Sequence, residues 1–167
     1  RGRIIGTLGL TFNNFSTKNF FKKGAWAPLP GGDGQRVSLR LQTNGKFYRG
    51  YSFSFTEPWL GGKKPNSLSF GANWTLLGNG FAPTSASFAG LRLAGVNLGL
   101  GRRKKFPDDW FQAYYELSYQ QYYVKDDSRF GLFTDGTSND FAFKYVLQRS
   151  SVSSPIYPQG GSNIKFS

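Results

Sequence analysis

The chain has 167 residues and a formal net charge of +12, and it contains neither cysteine nor histidine. Their absence excludes disulfides, thiolate nucleophiles, imidazole acid–base catalysis and metal sites built on cysteine or histidine. Hydrophobic residues make up only 38% of the chain while aromatic residues make up 18%, a balance typical of a β-rich wall with one wet face rather than of a large dry core.

Period-two alternation of apolar and polar residues recurs along the chain and predicts strands with one apolar and one polar face. In chain order, the alternating segments are 6–12, 37–42, 51–56, 68–75, 94–100, 110–124 and 141–148. Ile164 and Phe166 begin a last strand that the chain does not finish. Just before the fifth segment, Leu91 and Leu93 are at odd positions, whereas the apolar residues of that segment are at even positions. A bulge near Ala94-Gly95 would bring all of them to one face, so we expect one there.

The segments are separated by turn signals rich in glycine, proline and asparagine, and none has a convincing helical period. The sequence therefore predicts an all-β fold, an antiparallel meander of about seven strands and a fragment. Each strand is roughly 10 residues long, which is the length that a tilted membrane strand needs. No run of about 18 apolar residues is present, so no transmembrane helix is predicted.

The residue types on the two faces favour part of a transmembrane β-barrel over a soluble β-sandwich. A sandwich would bury valine, isoleucine and leucine between its sheets, whereas the apolar face here is rich in phenylalanine, tyrosine and tryptophan. We expect seven aromatic residues to face lipid: Phe53, Phe55, Phe70, Trp74, Tyr115, Phe143 and Tyr145. We expect five polar residues to face the lumen: Ser54, Asn73, Gln112, Glu116 and Lys144.

The basic residues cluster in the predicted connections, and every second connection of a meander lies at the same end of the sheet. The clusters therefore share one rim, called the basic rim here, formed by Lys22, Lys23, Lys63, Lys64, Arg102, Arg103, Lys104 and Lys105. This placement predicts contact with lipid headgroups or with an acidic partner. Nucleic-acid binding is not favoured, because the lysine and arginine residues are not interleaved with aromatic residues on one face.

The paired carboxylates Asp108-Asp109 and Asp126-Asp127 lie in predicted turns beside lysine and arginine. They are therefore interpreted as solvent-exposed turn residues. Since no constellation for catalysis, metal or cofactor binding is apparent, we expect no enzymatic activity, no metal and no cofactor.

Two segments resemble the barrels of the BamA type. The segment 51–60 reads YSFSFTEPWL, an alternating strand that ends in Thr56 followed by Glu57, Pro58 and Trp59. The segment 140–165 resembles the family's strand, then a turn with aromatic-Pro-x-x-Gly, then a new strand. The turn motif residues there are Tyr157, Pro158 and Gly160.

The resemblance implies a barrel of about sixteen strands preceded by periplasmic domains. Residues 1–167 would be a partial barrel domain, from about the second strand to the beginning of the ninth. The periplasmic domains and the C-terminal half would lie outside this chain. The basic rim would then face the periplasm, and residues 125–139 would form an extracellular loop. The first turn, 16–34, is longer than that position predicts.

The function that the resemblance implies is that of the central barrel component of the machinery that folds and inserts outer-membrane β-barrel proteins in Gram-negative bacteria. It would act by lateral gating and strand templating. Its implied partners are outer-membrane lipids, nascent outer-membrane proteins and the accessory lipoproteins of an assembly complex. Two alternatives stay open: a passive porin or protein-secretion pore, for which Arg40, Arg92 and Lys144 could project inward, and a soluble basic β-domain that binds polyanions.

The ends of the chain also carry an expectation. Arg1 is not a natural start, and Ser167 follows only a few residues of the last strand. Because an open sheet edge leaves backbone groups unpaired in hydrocarbon, we expect that residues 1–167 alone do not form a stable barrel.

Overall fold

The computed structural model describes residues 5–26, 28–62, 66–125, 135–151 and 160–167. Within these ranges the chain forms one antiparallel sheet of eight strands, in which each strand pairs with the next along the sequence. The only helical element described is a 3-10 turn at Leu60–Gly62. The strands are β1 (Ile5–Phe15), β2 (Gln35–Asn44), β3 (Tyr48–Glu57), β4 (Asn66–Gly78), β5 (Gly90–Arg103), β6 (Phe111–Lys125), β7 (Gly136–Ser150) and β8 (Asn163–Phe166). The predicted all-β meander is therefore confirmed.

The registers of the strand pairs bring the apolar positions of neighbouring strands onto a common side of the sheet. Leu39 is opposite Phe53, which is opposite Ala72, and that residue is opposite Val96. Partners directly opposite each other point their side chains to the same side. We call this side the apolar face and the other side the polar face. All residues expected to face lipid lie on the apolar face, and all residues expected to face the lumen lie on the polar face.

The bulge expected near Ala94-Gly95 is wrong. The pairing of β5 with β4 and with β6 runs through both residues without a shift. Leu91 therefore lies on the polar face, where it is opposite both Leu77 and Val124. Because these three apolar side chains meet on the polar face, no bulge is needed to bring the leucine to the other side.

The regular register also corrects the direction of Arg92. It lies on the apolar face, in line with Val96 and opposite Leu76 and Tyr123, and not toward the lumen. Arg40 and Lys144 lie on the polar face, as expected. A ring of three inward basic residues is therefore not formed.

A register shift does occur in β1, between Phe12 and Phe15. There Asn13 and Asn14 lie opposite Arg36 alone, an arrangement that bends a strand and is common where it ends. The Asn14 carbonyl accepts a hydrogen bond from Gly32 N at 3.1 Å, and its side chain accepts one from Gly34 N at 3.0 Å. The bulge thus begins the long connection between β1 and β2.

The sheet has a single layer in the described part of the chain, and few side chains are buried. Phe88, in the connection between β4 and β5, is 1% exposed. It packs against Gly78, where a β-carbon would come within 2.9 Å of the ring. Among the described residues, no helix is both long and apolar enough to span a membrane.

Candidate membrane-facing surface and basic rim

The apolar face is an exposed hydrophobic surface that extends across all eight strands. Leu117 is 60% exposed, Phe143 is 64% exposed and Phe141 is 76% exposed. Further exposed residues on this face are Leu8, Leu10, Leu39, Tyr51, Phe53, Phe70, Val96, Leu98, Leu100, Tyr145, Ile164 and Phe166. Soluble monomers rarely expose contiguous apolar patches of more than a few hundred Å². A face of this extent is suited to a lipid or protein environment rather than to water.

Aromatic pairs between neighbouring strands organise this face. The ring centroids of Tyr51 and Trp74 are 5.4 Å apart, and those of Tyr119 and Phe141 are 4.6 Å apart. A third pair, Tyr115 with Tyr145, has its centroids 5.0 Å apart. Cross-strand aromatic pairs of this kind stabilise a sheet by roughly 0.2–1 kcal/mol each.

The polar face is rich in glycine and small polar side chains in its centre. A β-carbon at Gly99 would overlap both Ser69 Oγ and the hydroxyl of Tyr114, and one at Gly101 would overlap Ser67 Oγ. The Tyr114 hydroxyl lies 3.4 Å from Ser69 Oγ. The glycines of β5 therefore make room for a tyrosine that lies along the polar face, which suits the wall of a lumen.

The basic rim lies at the end of the sheet where β1, β3, β5 and β7 finish. Lys22 and Lys23 are exposed in the connection from β1 to β2, and Arg102 and Arg103 end β5. Lys104 and Lys105 follow directly, the first half-buried and the second exposed. Lys63 and Lys64 lie outside the described residues. The described members therefore share one end of the sheet, and their contact with lipid or a partner stays a prediction.

The long connection 16–34 is held to the sheet by a polar network that the sequence pattern did not indicate. Ser16 is fully buried, and its hydroxyl donates to Asp33 Oδ2 at 2.6 Å. Gln35, which is 3% exposed, donates through Nε2 to Glu57 Oε2 at 2.5 Å and to Thr17 Oγ1 at 3.0 Å. Its Oε1 accepts from Thr17 N at 2.8 Å. Buried side-chain amides need such partners, and here they fix the connection against the end of β3.

Glu57 gives the first family turn motif a physical role. Its second carboxylate oxygen accepts a hydrogen bond from Trp59 N at 3.0 Å, across Pro58. The same carboxylate therefore closes its own turn and binds Gln35 of β2. In the second motif, Gly160 is exposed, whereas Tyr157 and Pro158 lie outside the described residues.

Exposed aromatic residues on the connection 16–34 accompany its lysines. Phe20 packs against Phe21 and Trp26, with centroids 5.2 and 5.1 Å apart. Phe21 is nevertheless 91% exposed. The indole nitrogen of Trp26 donates to the carbonyl of Phe20 at 3.1 Å. This cluster places aromatic rings beside Lys22 and Lys23 at the basic rim, a combination suited to a membrane interface.

In the part of the chain that the structure describes, no group of three or more acidic residues is arranged to hold a metal ion. Asp108 is engaged in a salt bridge with Arg149 at 2.9 Å. Asp126 and Asp127 are outside the described residues.

Comparison with known proteins gives a consistent result. The family model described as the Omp85 superfamily domain matches residues 31–167. Among solved structures, the chain is similar to a crystal structure of BamA from Haemophilus ducreyi lacking POTRA domains 1-3, with a TM-score of 0.54 and 17% sequence identity. The match covers 95% of this chain and 29% of that one, so the chain spans less than a third of the length of the protein it resembles. No curated protein matches. The resemblance to a BamA-type barrel is thus confirmed at the level of family and fold.

Proposed function

Because the chain belongs to the Omp85 superfamily, we propose that it forms part of the wall of an outer-membrane barrel that folds and inserts other β-barrel proteins. The family and the fold together indicate a bacterial outer-membrane β-barrel. The observation that carries the proposal is the family match over an open meander whose apolar face is exposed across every strand.

The proposed mechanism is lateral gating with strand templating. The edge of a sheet presents unpaired N–H and C=O groups, and an extended segment of a client protein can pair with them as an added strand. The gate would lie between the first and last strands of the complete barrel. The continuous pairing from β2 to β7 suits a fixed wall beside that gate. This role requires neither a catalytic residue nor a cofactor.

The direct test is client assembly by the complete protein in liposomes. A urea-denatured outer-membrane protein is added, and its folded fraction is measured by resistance to heat unfolding on a gel. We expect faster folding than in empty liposomes. Ion conductance without faster folding would contradict the proposal and favour the pore alternative.

A disulfide lock tests the gate, and residues 1–167 contain no cysteine that could compete with the introduced pair. Cysteines that join the first and last strands of the complete barrel should stop client folding, and a reductant should restore it. The matched control is Ser52→Cys with Asn73→Cys, which are directly opposite on β3 and β4. This second lock joins strands that are already paired, so folding activity should persist.

The basic rim is proposed to contact anionic headgroups and acidic surfaces of accessory lipoproteins. Charge reversal at Lys22 and Lys23 should weaken recovery of accessory subunits with the barrel, and the loss should diminish at high salt because exposed charges are screened. Lys46→Glu, in the turn between β2 and β3 at the opposite rim, is the control. Equal loss in both variants would contradict a contact specific to the basic rim.

A further inference from the structure

The long connection 16–34 begins on the apolar face of the sheet. Gln35 is two residues before Val37 in β2, so both side chains point to this face. Phe15 is directly opposite Gln35 and therefore shares it. Thr17 N donates to Gln35 Oε1 at 2.8 Å, and Gln35 Nε2 donates to Thr17 Oγ1 at 3.0 Å. These two bonds fix the start of the connection on the apolar face and not on the polar face.

The connection covers polar groups that the apolar face would otherwise present to lipid. Glu57 is opposite Leu68, which shares the apolar face with Phe70. The carboxylate of Glu57 accepts a hydrogen bond from Gln35, which is 3% exposed. An amide and a carboxylate are costly to expose to hydrocarbon. The connection therefore shields this polar pair at the end of the apolar face.

The outer surface of the connection carries three aromatic residues, Phe20, Phe21 and Trp26, called the aromatic cluster here. The ring of Phe20 contacts that of Phe15, with centroids 6.3 Å apart, so the cluster continues the apolar face. Phe21 is 91% exposed and Trp26 is 49% exposed. Aromatic rings in this position are stabilised when they enter the interfacial region of a bilayer, where the indole N–H can remain near the headgroups.

The backbone holds the aromatic cluster in place without a helix or a strand. Three successive backbone hydrogen bonds close turns within residues 17–25. Gly24 has a φ of 87°, a left-handed conformation that glycine adopts readily, and it reverses the chain toward Phe20. The indole nitrogen of Trp26 then donates to the carbonyl of Phe20 at 3.1 Å. Because the cluster is already ordered, little conformational entropy is lost when it enters a membrane.

Two lysines follow the most exposed ring directly. Lys22 and Lys23 are exposed and adjacent to Phe21 in the chain. Lys18 is paired with Asp33, with 3.8 Å between nitrogen and oxygen. In contrast, neither Lys22 nor Lys23 forms an ion pair within the described residues. Their ammonium groups are thus available to an anion beside the aromatic cluster.

We propose that the connection 16–34 is a membrane anchor. The aromatic cluster inserts into the interface of the periplasmic leaflet, and Lys22 and Lys23 contact the phosphates of anionic phospholipids. The inference rests on the proposed function, in which the apolar face meets lipid and the basic rim faces the periplasm. Continuity of the cluster with the apolar face favours lipid over an accessory protein, which would have to approach from the membrane side.

The test measures whether position 21 contacts lipid in the complete protein. Phe21→Cys is labelled with the fluorophore NBD, after any cysteine outside residues 1–167 is replaced by serine. The protein is placed in nanodiscs of phosphatidylglycerol and phosphatidylcholine with brominated acyl chains. We expect a blue-shifted emission that the brominated lipids quench. The matched control is labelled Arg36→Cys, which is exposed at the same end of β2 but on the polar face, and its emission should be unchanged.

The contribution of the lysines is tested in the labelled Phe21→Cys protein. Each basic residue at an anionic surface strengthens attachment about fivefold. Lys22→Gln with Lys23→Gln should therefore lower the ratio of inserted to free label about fivefold per lysine, in nanodiscs with phosphatidylglycerol but not in phosphatidylcholine alone. The control is Lys46→Gln with Arg49→Gln, which removes the same charge at the opposite rim and should leave the ratio unchanged.

Several results would overturn the anchor. They are an unquenched label at position 21, equal quenching at positions 21 and 36, and an equal effect of the two double glutamine variants. A label at position 21 that leaves water only when accessory lipoproteins are added would show a protein partner instead of lipid. Heat resistance on a gel verifies that each variant is folded.

The outcomes also separate this inference from the proposed function. A protein that accelerates client folding while the label at position 21 stays in water contradicts only the anchor. A protein whose label is quenched by lipid but which does not accelerate client folding contradicts only the assembly role.

Discussion

Arg149 forms a salt bridge with Asp108 at 2.9 Å, which joins the end of β7 to the connection between β5 and β6. The same guanidinium donates through Nη1 to Ser151 Oγ at 3.0 Å and to Ser162 Oγ. Asp108 also accepts from Trp110 N at 3.0 Å. At the basic rim, Arg149 therefore joins the connection between β5 and β6 to the connection between β7 and β8, which no local sequence signal indicates.

Breaking this ion pair should destabilise the rim modestly. Both side chains are partly exposed, so we expect Arg149→Ala and Asp108→Ala each to lower the free energy of unfolding by about 1 kcal/mol. The double variant should cost less than the sum of the two, because they remove one shared interaction. Urea unfolding of the complete protein in bilayers measures the effect. The exposed Arg36 is the control, and an equal cost for Arg36→Ala would contradict a specific role for the pair.

A β-carbon at Gly99 should be poorly tolerated, because Tyr114 and Ser69 already occupy the space above it. We expect Gly99→Ala to lower the free energy of unfolding by about 1–3 kcal/mol through overpacking. Gly9→Ala, on the polar face of β1, meets no heavy atom within 4 Å and should be neutral or slightly stabilising. Adding Tyr114→Ala to Gly99→Ala should recover part of the loss. Equal effects at both glycines would argue against the close packing at Gly99.

A charge on the apolar face should be far more costly than the same charge on the polar face. Phe143→Arg should cost about 2–4 kcal/mol if the site is near the bilayer midplane, and less toward the interfaces. The neighbouring Ala142→Arg lies on the polar face of the same strand and should be tolerated. Unfolding in lipid bilayers compares the two variants. Equal stability would mean that the two faces are not lipid and lumen.

Removing the Gln35 amide should release the connection 16–34 from the sheet. Gln35→Leu leaves Thr17 N and the Glu57 carboxylate without this partner, at a cost of about 1–3 kcal/mol. We expect faster trypsin cleavage after Lys22 and Lys23 in the folded protein. Thr11→Val removes only an exposed hydroxyl contact between β1 and β2 and should leave the cleavage rate unchanged. Slow cleavage of Gln35→Leu would show that the network does not hold the connection.

Alternation predicted the architecture well because each strand of a single-layer sheet repeats the same contrast between its two faces. It failed at Leu91, because an apolar residue on a mostly polar face breaks the pattern without bending the strand. Leu91 is opposite Leu77 and Val124 on the two neighbouring strands, and the alternation within β5 alone does not reveal these partners. The same error directed Arg92 to the wrong face.

The rim contacts could not be predicted for a related reason. Gln35 and Glu57 are 22 residues apart, and Arg149 and Asp108 are 41 residues apart. The period-two alternation and the turn-forming residues are signals from neighbours along the chain. These partners, in contrast, come together only when the register of several strand pairs is fixed. The family motif identified Glu57 as part of a turn, but not as a ligand for the buried amide of Gln35.

The two edges of the sheet lead to the last prediction. Among the described residues, β1 pairs only with β2 and β8 pairs only with β7. Each unpaired N–H or C=O group costs several kcal/mol in hydrocarbon, so membrane-spanning sheets are closed. The four residues of β8 offer too short an edge to close the sheet against the eleven residues of β1. Within the described residues both edges of the sheet are therefore left unpaired.

We expect residues 1–167, expressed alone and refolded in detergent or lipid, to associate through these edges into oligomers or to aggregate. Light scattering after size-exclusion chromatography measures the mass, and heat resistance on a gel reports a closed barrel. The complete protein, treated in the same way, is the control and should be a heat-resistant monomer. A monomeric, heat-resistant barrel formed by residues 1–167 would require β1 to pair with β8, and would contradict their assignment as part of an open wall.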